Sequence, residues 1–356
     1  MSDHPYYAKL QEQLVEGRLD RREFVRYAAL LGVSAGSAYA FAGKITGDDF
    51  APRARAQDMP MGGTLRIAMR VTVVKDPHTF SWVIDSNIVR QVCGYLTRTG
   101  VDNVTRPDLL EGWEASEDLA TWTLKVRPGV VWHDGRAFTA EDVAWNLNHV
   151  LTPETGSSVL GLMQGYMMND DATALWDANA IEIVDDMTVR LNTRSPNVAI
   201  PEHLFHYPLL ILDPASNGTF EVGSNGTGAF KLVEHVVGEK AVLQNAQNAA
   251  WYGDGPYLDT IEFLDLGDDP SAAIGALASK QVDAIDEGDI VQLEAFKAMP
   301  HVEIIPANTA QTAVVRGRCD TAPFDDHHAT SEYRRTVGKR IFSRTLREAL
   351  GLKEAA

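Results

Sequence analysis

His203 and His206 have the spacing that, in this chain, most resembles a metal-chelating pair. They lie three residues apart in the segment PEHLFHYP, where a helix would place both imidazoles on one side. Pro201 and Pro208 flank the pair and leave room for barely two helical turns. We therefore interpret both as structural histidines and predict no metal site.

The other reactive residues of the sequence form no catalytic arrangement. His133 adjoins Asp134, but adjacent side chains point in different directions, so this WHDG segment predicts a surface turn. No G-x-S-x-G nucleophile motif occurs. Cys93 and Cys319 lack the spacing of a thiolate metal site, and we expect two separate thiols, with one disulfide as the alternative. The sequence thus predicts that the protein is not an enzyme and uses no cofactor.

The hydrophobic pattern indicates a mixture of strands and helices. Apolar and polar residues alternate in TWTLKV, which is typical of a half-buried strand. Thr139, followed three residues later by Asp142, forms a capping box that opens a helix. The predicted strands cover residues 64–69, 121–126, 181–184, 188–191, 230–236, 241–244 and 261–266. The predicted helices cover residues 85–95, 140–151 and 271–279. This mixture indicates an α/β fold.

The strand-turn-helix segment at residues 106–151 resembles the signature of the family 5 extracellular solute-binding proteins. The matching residues are Pro107, Leu109, Trp113, the run TWTLKVRPGVVWHDG and the helix start FTAEDV. Further resemblances are GGTLRIA at 62–68, NGTGAF at 225–230, YGDGPYLD at 252–259, VDA at 282–284 and PFDD at 323–326. The resemblance covers about residues 62–326.

This resemblance implies an α/β, periplasmic binding protein-like fold of type II (cluster C) with an accessory domain. We expect a family domain at 57–326, in which 62–100 and about 221–326 form the first lobe and about 101–220 the accessory region. The second lobe, which closes over the ligand in relatives, would be largely missing. A truncated or frameshifted remnant that binds nothing is therefore one alternative to a working receptor.

The implied function is solute binding for an ABC importer. The expected partners are a peptide or related small solute and the permease subunits of the transporter, with no nucleic acid. A docking or sensor protein without transport is a further alternative. The resemblance directs attention to two segments that could line the cleft, and their residues are Thr79, Phe80, Ser81, Trp82, Asn225, Gly226, Thr227 and Gly228. Glycines in the second segment would let backbone approach a ligand closely.

Charge changes sign along the chain. Residues 57–326 contain 39 acidic and 17 basic side chains, so their net charge is 17 − 39 = −22. Such a field disfavours nucleic acid and anionic membranes as partners. Residues 327–356 contain 7 basic and 3 acidic side chains, a net of +4. We interpret this segment as a non-family tail produced by a frameshift or truncation, with a genuine basic helix over 336–352 as the alternative.

The amino-terminal segment 1–56 resembles a twin-arginine signal peptide. Its motif contains Arg21, Arg22 and Phe24, and a mildly apolar stretch follows. An A-x-A sequence ends at Ala56, so we expect cleavage before Gln57 and a mature periplasmic protein. The twin-arginine translocase would then be a partner during export. A cytoplasmic helix and an uncleaved membrane anchor are the alternatives.

Replacing both Arg21 and Arg22 with lysine should trap the precursor in the cytoplasm, because the export receptor in this interpretation reads the arginine pair. Fractionation of cells followed by immunoblotting measures the distribution. Export at the wild-type rate would contradict the twin-arginine interpretation.

Overall fold

The computed structural model describes residues 4–46, 60–247, 251–288 and 292–305. Residues 1–306 form one compact unit, and all described residues belong to it. The predicted cleavage site at Ala56 and Gln57, the basic segment 327–356 and Cys319 lie outside the described residues.

Short strands and helices follow one another along this unit. The strands are β1 (Thr64–Ala68), β2 (Thr97–Thr99), β3 (Thr105–Pro107), β4 (Leu110–Ala115), β5 (Thr121–Val126), β6 (Ile181–Asp185), β7 (Thr188–Asn192), β8 (Phe230–Val236), β9 (Lys240–Asn245), β10 (Thr260–Leu264) and β11 (Ala284–Ile285). The helices are α1 (Pro5–Val15), α2 (Arg21–Leu30), α3 (Ala35–Thr46), α4 (Ser86–Val89), α5 (Ala140–Leu151), α6 (Ser158–Met167), α7 (Ile200–His203), α8 (Pro270–Ala278) and α9 (Leu293–Lys297).

The first sheet has five strands in the order β11-β1-β10-β9-β8. β1 runs parallel to β10 and β11, whereas β9 is antiparallel to both of its neighbours. Ala68 pairs with Leu264 on one side and Ile285 on the other, so three parallel strands end at one edge. We call this the carboxyl edge. The turn between β8 and β9 lies at the same edge, and β8 begins at the opposite one.

The second sheet is antiparallel, in the order β4-β5-β7-β6, and packs against α5 and α6. Trp122, Leu124 and Val126 of β5 are buried, as the alternation in TWTLKV predicts. The core of this sheet draws its buried residues from 96–211. A separate core, from 69–95 and 210–263, covers the first sheet.

Most predicted elements agree with the structure, but the predicted helix over 85–95 is wrong. Only α4 is α-helical there, and the chain continues in tight turns. The carbonyl of Gln91 accepts a hydrogen bond from Phe230 N at 3.1 Å, and that of Val92 accepts one from Gly228 N at 2.7 Å. These carbonyls bond to a distant segment instead of continuing the helix.

Residues 4–46, which we call the N-terminal arm, form α1, α2 and α3. Phe24, Val25 and Ala28 are completely buried in an apolar cluster within the arm, and Val104 from the turn between β2 and β3 joins that cluster. Within the described part of the chain, the helices are too short or too polar to cross a membrane.

A pair of histidines, the buried His78 and the half-buried His149, joins the first sheet to α5. His78 donates from Nε2 to the carbonyl of Leu210 at 2.8 Å, so its Nδ1 must accept from Nδ1–H of His149, also at 2.8 Å. Trp145 stacks on His149 with ring centroids 4.8 Å apart. Burial lowers the pKa of His78 to about 4, with the hydrogen bond to Leu210 opposing and the nearby His149 adding to the shift.

Acid should therefore destabilise this protein below about pH 6.5. The folded His78 has a lower pKa than its unfolded form, so unfolding takes up protons as the pH falls from about 6.5 to 4, and stability is full above that window. We expect a loss of about 3 kcal/mol across it from this residue. Urea unfolding at several pH values measures the slope. His78→Gln should reduce the dependence of stability on pH, whereas the control His301→Gln, at an exposed position, should leave it unchanged. Equal slopes in the wild type and both variants would contradict the assignment of this pH dependence to His78.

Candidate functional site

The carboxyl edge of the first sheet carries the strongest candidate for a binding site. In open α/β sheets, ligands bind beyond the carboxyl ends of the parallel strands. Among the chain segments that leave the sheet there are residues 69–90 after β1 and residues 286–288 after β11. Side chains from both segments meet at this edge.

Asn87 connects the two segments. Its Nδ2 donates to Oδ2 of Asp286 at 3.1 Å and lies 3.4 Å from Sδ of Met69. The backbone of Asp286 is fixed by a hydrogen bond from its N to the carbonyl of Ala68 at 3.1 Å. Partial removal of solvent raises the pKa of the Asp286 carboxyl, and the charge of Glu287 adds to that shift. The site thus presents a positioned carboxylate.

Arg90 supplies the opposite charge. Its guanidinium contacts the hydroxyl of Ser86 and lies over the ring of Tyr95, 5.9 Å from the centroid. The charge of Arg90 also favours the ionised form of Asp286. Its Nε is buried, and no acceptor for it exists among the described residues. A buried donor without a partner is costly, and Arg90 as a whole is only half-buried.

Trp82, on the same chain segment as Asn87 and Arg90, provides an exposed apolar surface. Its side chain is 72% exposed, although indoles are usually mostly buried. The backbone beneath it is held by two hydrogen bonds: Trp82 N donates to Oδ2 of Asp85 at 3.1 Å, and Tyr207 donates from its hydroxyl to the carbonyl of Ser81 at 2.9 Å. A fixed backbone with an exposed ring is a ready platform for stacking.

Only part of the first predicted segment offers side chains to solvent. Thr79 is exposed, but its hydroxyl donates to the carbonyl of Asp76 at 2.8 Å, and Ser81 contributes its backbone to the Tyr207 contact. Phe80 is buried in the core of the first sheet. Phe80 follows the short 3₁₀ turn at Pro77–Thr79 and is the one buried residue of the four, whereas Thr79, Ser81 and Trp82 are exposed.

The second predicted segment lies at the other edge of the sheet. Asn225–Gly228 immediately precedes β8, which begins opposite the carboxyl edge. A Cβ on Gly226 would lie 2.1 Å from the carbonyl oxygen of Val92, and one on Gly228 would lie 2.6 Å from that of Gln91. The missing side chains of these glycines therefore make room for the backbone carbonyls of Gln91 and Val92, not for a ligand as we expected from the sequence. Thr227 is buried and accepts from Gly94 N at 3.3 Å.

Asn225 belongs to a polar network that we call the joint. Its Nδ2 donates to Asp213 at 2.7 Å and to Asp134 at 3.0 Å. Arg136 donates to Asp142, at the start of α5, at 2.7 Å and to Asp213 at 2.8 Å. The joint connects the second sheet to the segment that leads into β8, so these polar residues have a structural role.

His133 also belongs to the joint and is not a free surface residue. It is half-buried, and its Nε2 donates to the carbonyl of Gly228 at 2.8 Å. His203 and His206 have separate partners: Nδ1 of His203 shares a hydrogen bond with the hydroxyl of Tyr166 at 2.7 Å, and His206 lies 3.4 Å from the hydroxyl of Ser158. Both histidines thus have hydroxyl groups of other residues as neighbours.

Among the residues that the structure describes, no group of three or more His, Cys, Asp or Glu side chains could hold a metal ion. Cys93 is buried, and burial raises the pKa of its thiol far above the usual range, which suits a packing role. At the carboxyl edge, the arrangement of Asn87, Arg90 and Asp286 can bind a ligand through hydrogen bonds and charge. It contains no nucleophile beside a general base.

A groove of about 900 Å³ lies elsewhere, between the N-terminal arm and strands β3 and β4. It shares no residue with the carboxyl edge. Its charged lining includes Glu114 and Lys125, which pair with each other, and Arg106, which pairs with Asp102. We place the candidate site at the carboxyl edge instead, because ligands of open α/β sheets bind beyond the carboxyl ends of the parallel strands.

Sequence reasoning did not identify Asn87, Arg90 and Asp286. Asn87 and Arg90 lie in a segment predicted as an ordinary helix, and Asp286 follows a strand of two residues. The sequence contains a weak indication of Asp286, because this residue directly follows the VDAI segment, which ends a strand. Only the parallel pairing of β11 with β1 shows that this strand ends at the carboxyl edge.

The sequence matches the model of a protein family. The model of the bacterial extracellular solute-binding proteins, family 5 (middle), matches residues 104–350, which is more than half of the chain. The chain belongs to this family. The matched interval runs past Asp326 into the basic segment that the sequence analysis sets apart.

Curated relatives of the chain include oligopeptide-binding proteins. The periplasmic oligopeptide-binding protein OppA of Haemophilus influenzae is 24% identical over 226 residues, 60% of this chain and 41% of the relative. The protein of the same name from Salmonella typhimurium is 28% identical over 229 residues, 57% of this chain and 40% of the relative. The chain thus spans less than half the length of these relatives.

Solved structures agree on the fold. An oligopeptide-binding protein from Borrelia burgdorferi (OppAIV) superposes with a TM-score of 0.58 at 24% identity, covering 67% of this chain and 50% of that one. NikZ from Campylobacter jejuni, solved with Ni(L-His), gives a TM-score of 0.55 at 25% identity, covering 66% and 45%. The α/β fold of the periplasmic binding proteins is therefore confirmed.

Gly226→Ala should destabilise the protein by about 2 kcal/mol, because its new methyl meets the Val92 backbone, which cannot move as a side chain can. Gly112→Ala is the matched control, since a Cβ there meets nothing within 4 Å. Urea unfolding of both variants measures the difference. Equal stability of the two variants would show that the close backbone contact is not a constraint.

Proposed function

We propose that this protein is a periplasmic solute receptor that captures a peptide or a related small solute for an ABC importer, without catalysing a reaction. Membership of the family and the likeness to oligopeptide-binding proteins support this proposal. The observation that carries it is the group of Asn87, Arg90 and Asp286 at the carboxyl edge, with the exposed Trp82 on the same chain segment as Asn87 and Arg90. Its partners would be the permease subunits of the transporter.

Chemistry at the carboxyl edge favours a ligand that carries both charges. The carboxylate of Asp286 and the guanidinium of Arg90 lie near enough to influence each other, yet they make no ion pair within 4 Å in the described part. A peptide or an amino-acid-like solute offers an ammonium and carbonyl or carboxylate oxygens to such a pair. Its apolar portion would then rest on Trp82.

The export route that we propose is the twin-arginine pathway. Arg21, Arg22 and Phe24 in their consensus-like context support it, as does the periplasmic location named for the sequence relatives. Cleavage before Gln57 would yield the mature receptor. Residues 79–82 remain our proposed ligand segment, through Trp82 in particular, whereas we assign residues 225–228 to the joint.

Trp82→Ala should abolish most of the thermal stabilisation that a ligand produces, because the variant removes the stacking surface. A true ligand raises stability by about RT ln(1 + [L]/Kd), so a thermal shift against di- and oligopeptides gives the readout. Asp286→Asn should weaken cationic ligands selectively.

Trp176→Ala is the matched control, because that indole is 39% exposed on a segment outside the carboxyl edge. It should retain the full ligand response. A folded wild-type protein whose melting temperature is unchanged by peptides, sugars and metal chelates would contradict the proposed receptor function.

A further inference from the structure

Strand β4 lies at one edge of the second sheet, and its outer side has no partner strand in the described part of the chain. Ser116 N donates to the carbonyl of Thr121 at 2.8 Å, which fixes the residues of this strand that bond to β5. Because antiparallel strands exchange hydrogen bonds at alternate residues, the N–H and C=O groups of Trp113 and Ala115 point away from β5. The outer edge of β4 therefore offers main-chain donors and acceptors to another chain segment.

The N-terminal arm covers part of this outer edge. Gly32, in the turn between α2 and α3, has a φ of +84°, and a Cβ on it would lie 2.5 Å from the carbonyl oxygen of Trp113. The indole Nε1 of Trp113 donates to the carbonyl of Leu30 at 3.0 Å, and Nε2 of His4 lies 3.0 Å from the carbonyl oxygen of Ser116. No backbone–backbone hydrogen bond joins β4 to the described residues of the arm. The arm thus obstructs the edge without pairing with it as a strand.

The surface under the arm continues from β4 onto the turn between β2 and β3 and onto α7. Val104 is only 1% exposed because it packs into the apolar cluster of the arm. Tyr39 donates from its hydroxyl to Asp102 at 2.8 Å, and Arg26 makes a two-point ion pair with Glu202 at 2.8 and 3.1 Å. Removal of the arm would therefore expose Val104 and take the arginine partner from Glu202.

The groove beside β4 is acidic on the side of the second sheet. Glu111, Glu114 and Glu117 line it and are exposed. Two basic side chains, Arg106 and Lys125, also line the groove, and each already pairs with a carboxylate. Glu111 and Glu117 form no ion pair with any residue that the structure describes. A segment that pairs with β4 would meet these carboxylates, which favour basic side chains.

We propose that the outer edge of β4 is a protein-docking surface of the processed solute receptor, to which an extended basic segment of a partner adds as a strand. This inference rests on the proposed export and on cleavage before Gln57, which removes the arm. Main-chain hydrogen bonds to Trp113 and Ala115 supply the affinity, and Glu111 and Glu117 select basic side chains. In the precursor, the arm occupies this surface and prevents the docking.

Gly32→Ala in the full-length protein should displace the arm, because its methyl group meets the main chain of β4. Trypsin cleavage after Arg26, detected as a new amino terminus at Tyr27, should accelerate about 5- to 10-fold, since proteolysis follows the population of the open form. Gly17→Ala is the matched control, because its φ is +70° but a Cβ there faces open space. Its cleavage rate should stay within about two-fold of the wild-type rate. Equal cleavage of wild type and Gly32→Ala would overturn the covering contact.

A fluorescein-labelled peptide of four Lys-Val repeats is the probe for docking, and fluorescence anisotropy measures its binding. Gly32→Ala should bind this peptide more tightly than wild type by the factor by which its cleavage accelerates, whereas Gly17→Ala should bind as wild type does. A Glu-Val peptide and a fully N-methylated Lys-Val peptide, which has no main-chain donors, should bind weakly to all three proteins. Faster cleavage without tighter binding of the Lys-Val peptide, or equal binding of its N-methylated form, would overturn the proposal.

Charge substitutions in the Gly32→Ala protein separate this surface from the carboxyl edge. Glu111→Gln combined with Glu117→Gln should weaken the Lys-Val peptide about 2- to 10-fold. The matched control is a charge-removing pair at exposed positions elsewhere, Glu154→Gln with Asp171→Asn, which should leave the affinity unchanged. A substitution of Asp286 to asparagine should likewise have no effect; a loss of binding in that variant would place the peptide at the carboxyl edge and overturn docking at β4.

Failure of this inference is distinguishable from failure of the proposed function. Peptide docking at β4 is measured without a transported solute, so a flat thermal response to solutes would leave the docking result standing. Amino-terminal sequencing of the exported protein shows whether Gln57 is its first residue, and an exported protein that retains the arm would overturn the role in the processed receptor. Dimerisation of the Gly32→Ala protein without peptide binding would assign the edge to a second copy and overturn the basic partner.

Discussion

The close contact between two backbone segments, residues 91–94 and 226–230, is the constraint on which the rest of this structure depends. Gly226 and Gly228 lack side chains where the carbonyls of Gln91 and Val92 approach them, so hydrogen bonds form directly between the main chains. A methyl group in either place would separate them. The contact ends α4 after a single turn and directs β8 into the first sheet.

The joint extends this contact to the second sheet. Arg136 binds Asp142 and Asp213, whose carboxylates are nearly buried, and Asn225 binds Asp213 from the other side. Each buried carboxylate thus has charged or polar partners, which is the condition for burying it at an acceptable cost. The family signature around WHDG and NGTG is therefore a means of fixing two sheets to each other.

Positioning of the candidate site follows from the same constraint. α4 and the turns after it begin near Asp286 at the carboxyl edge and end at the joint. Asn87 and Arg90 sit on this short bridge, so their placement at the carboxyl edge depends on contacts made at its far end. Because the bridge is anchored at both ends, the charged groups are held before any ligand arrives, which lowers the cost of binding.

Sequence alone determined the local elements and the family. The alternation in TWTLKV and the Thr139–Asp142 cap act within a few residues, so β5 and α5 could be predicted closely. Tertiary structure decided which candidates meet. Trp82 and Gly226 both looked like cleft residues, yet they reach different environments because β8 starts at the edge opposite the end of β1. Strand order and the partner of each carbonyl arise from contacts between distant residues, which no local pattern encodes.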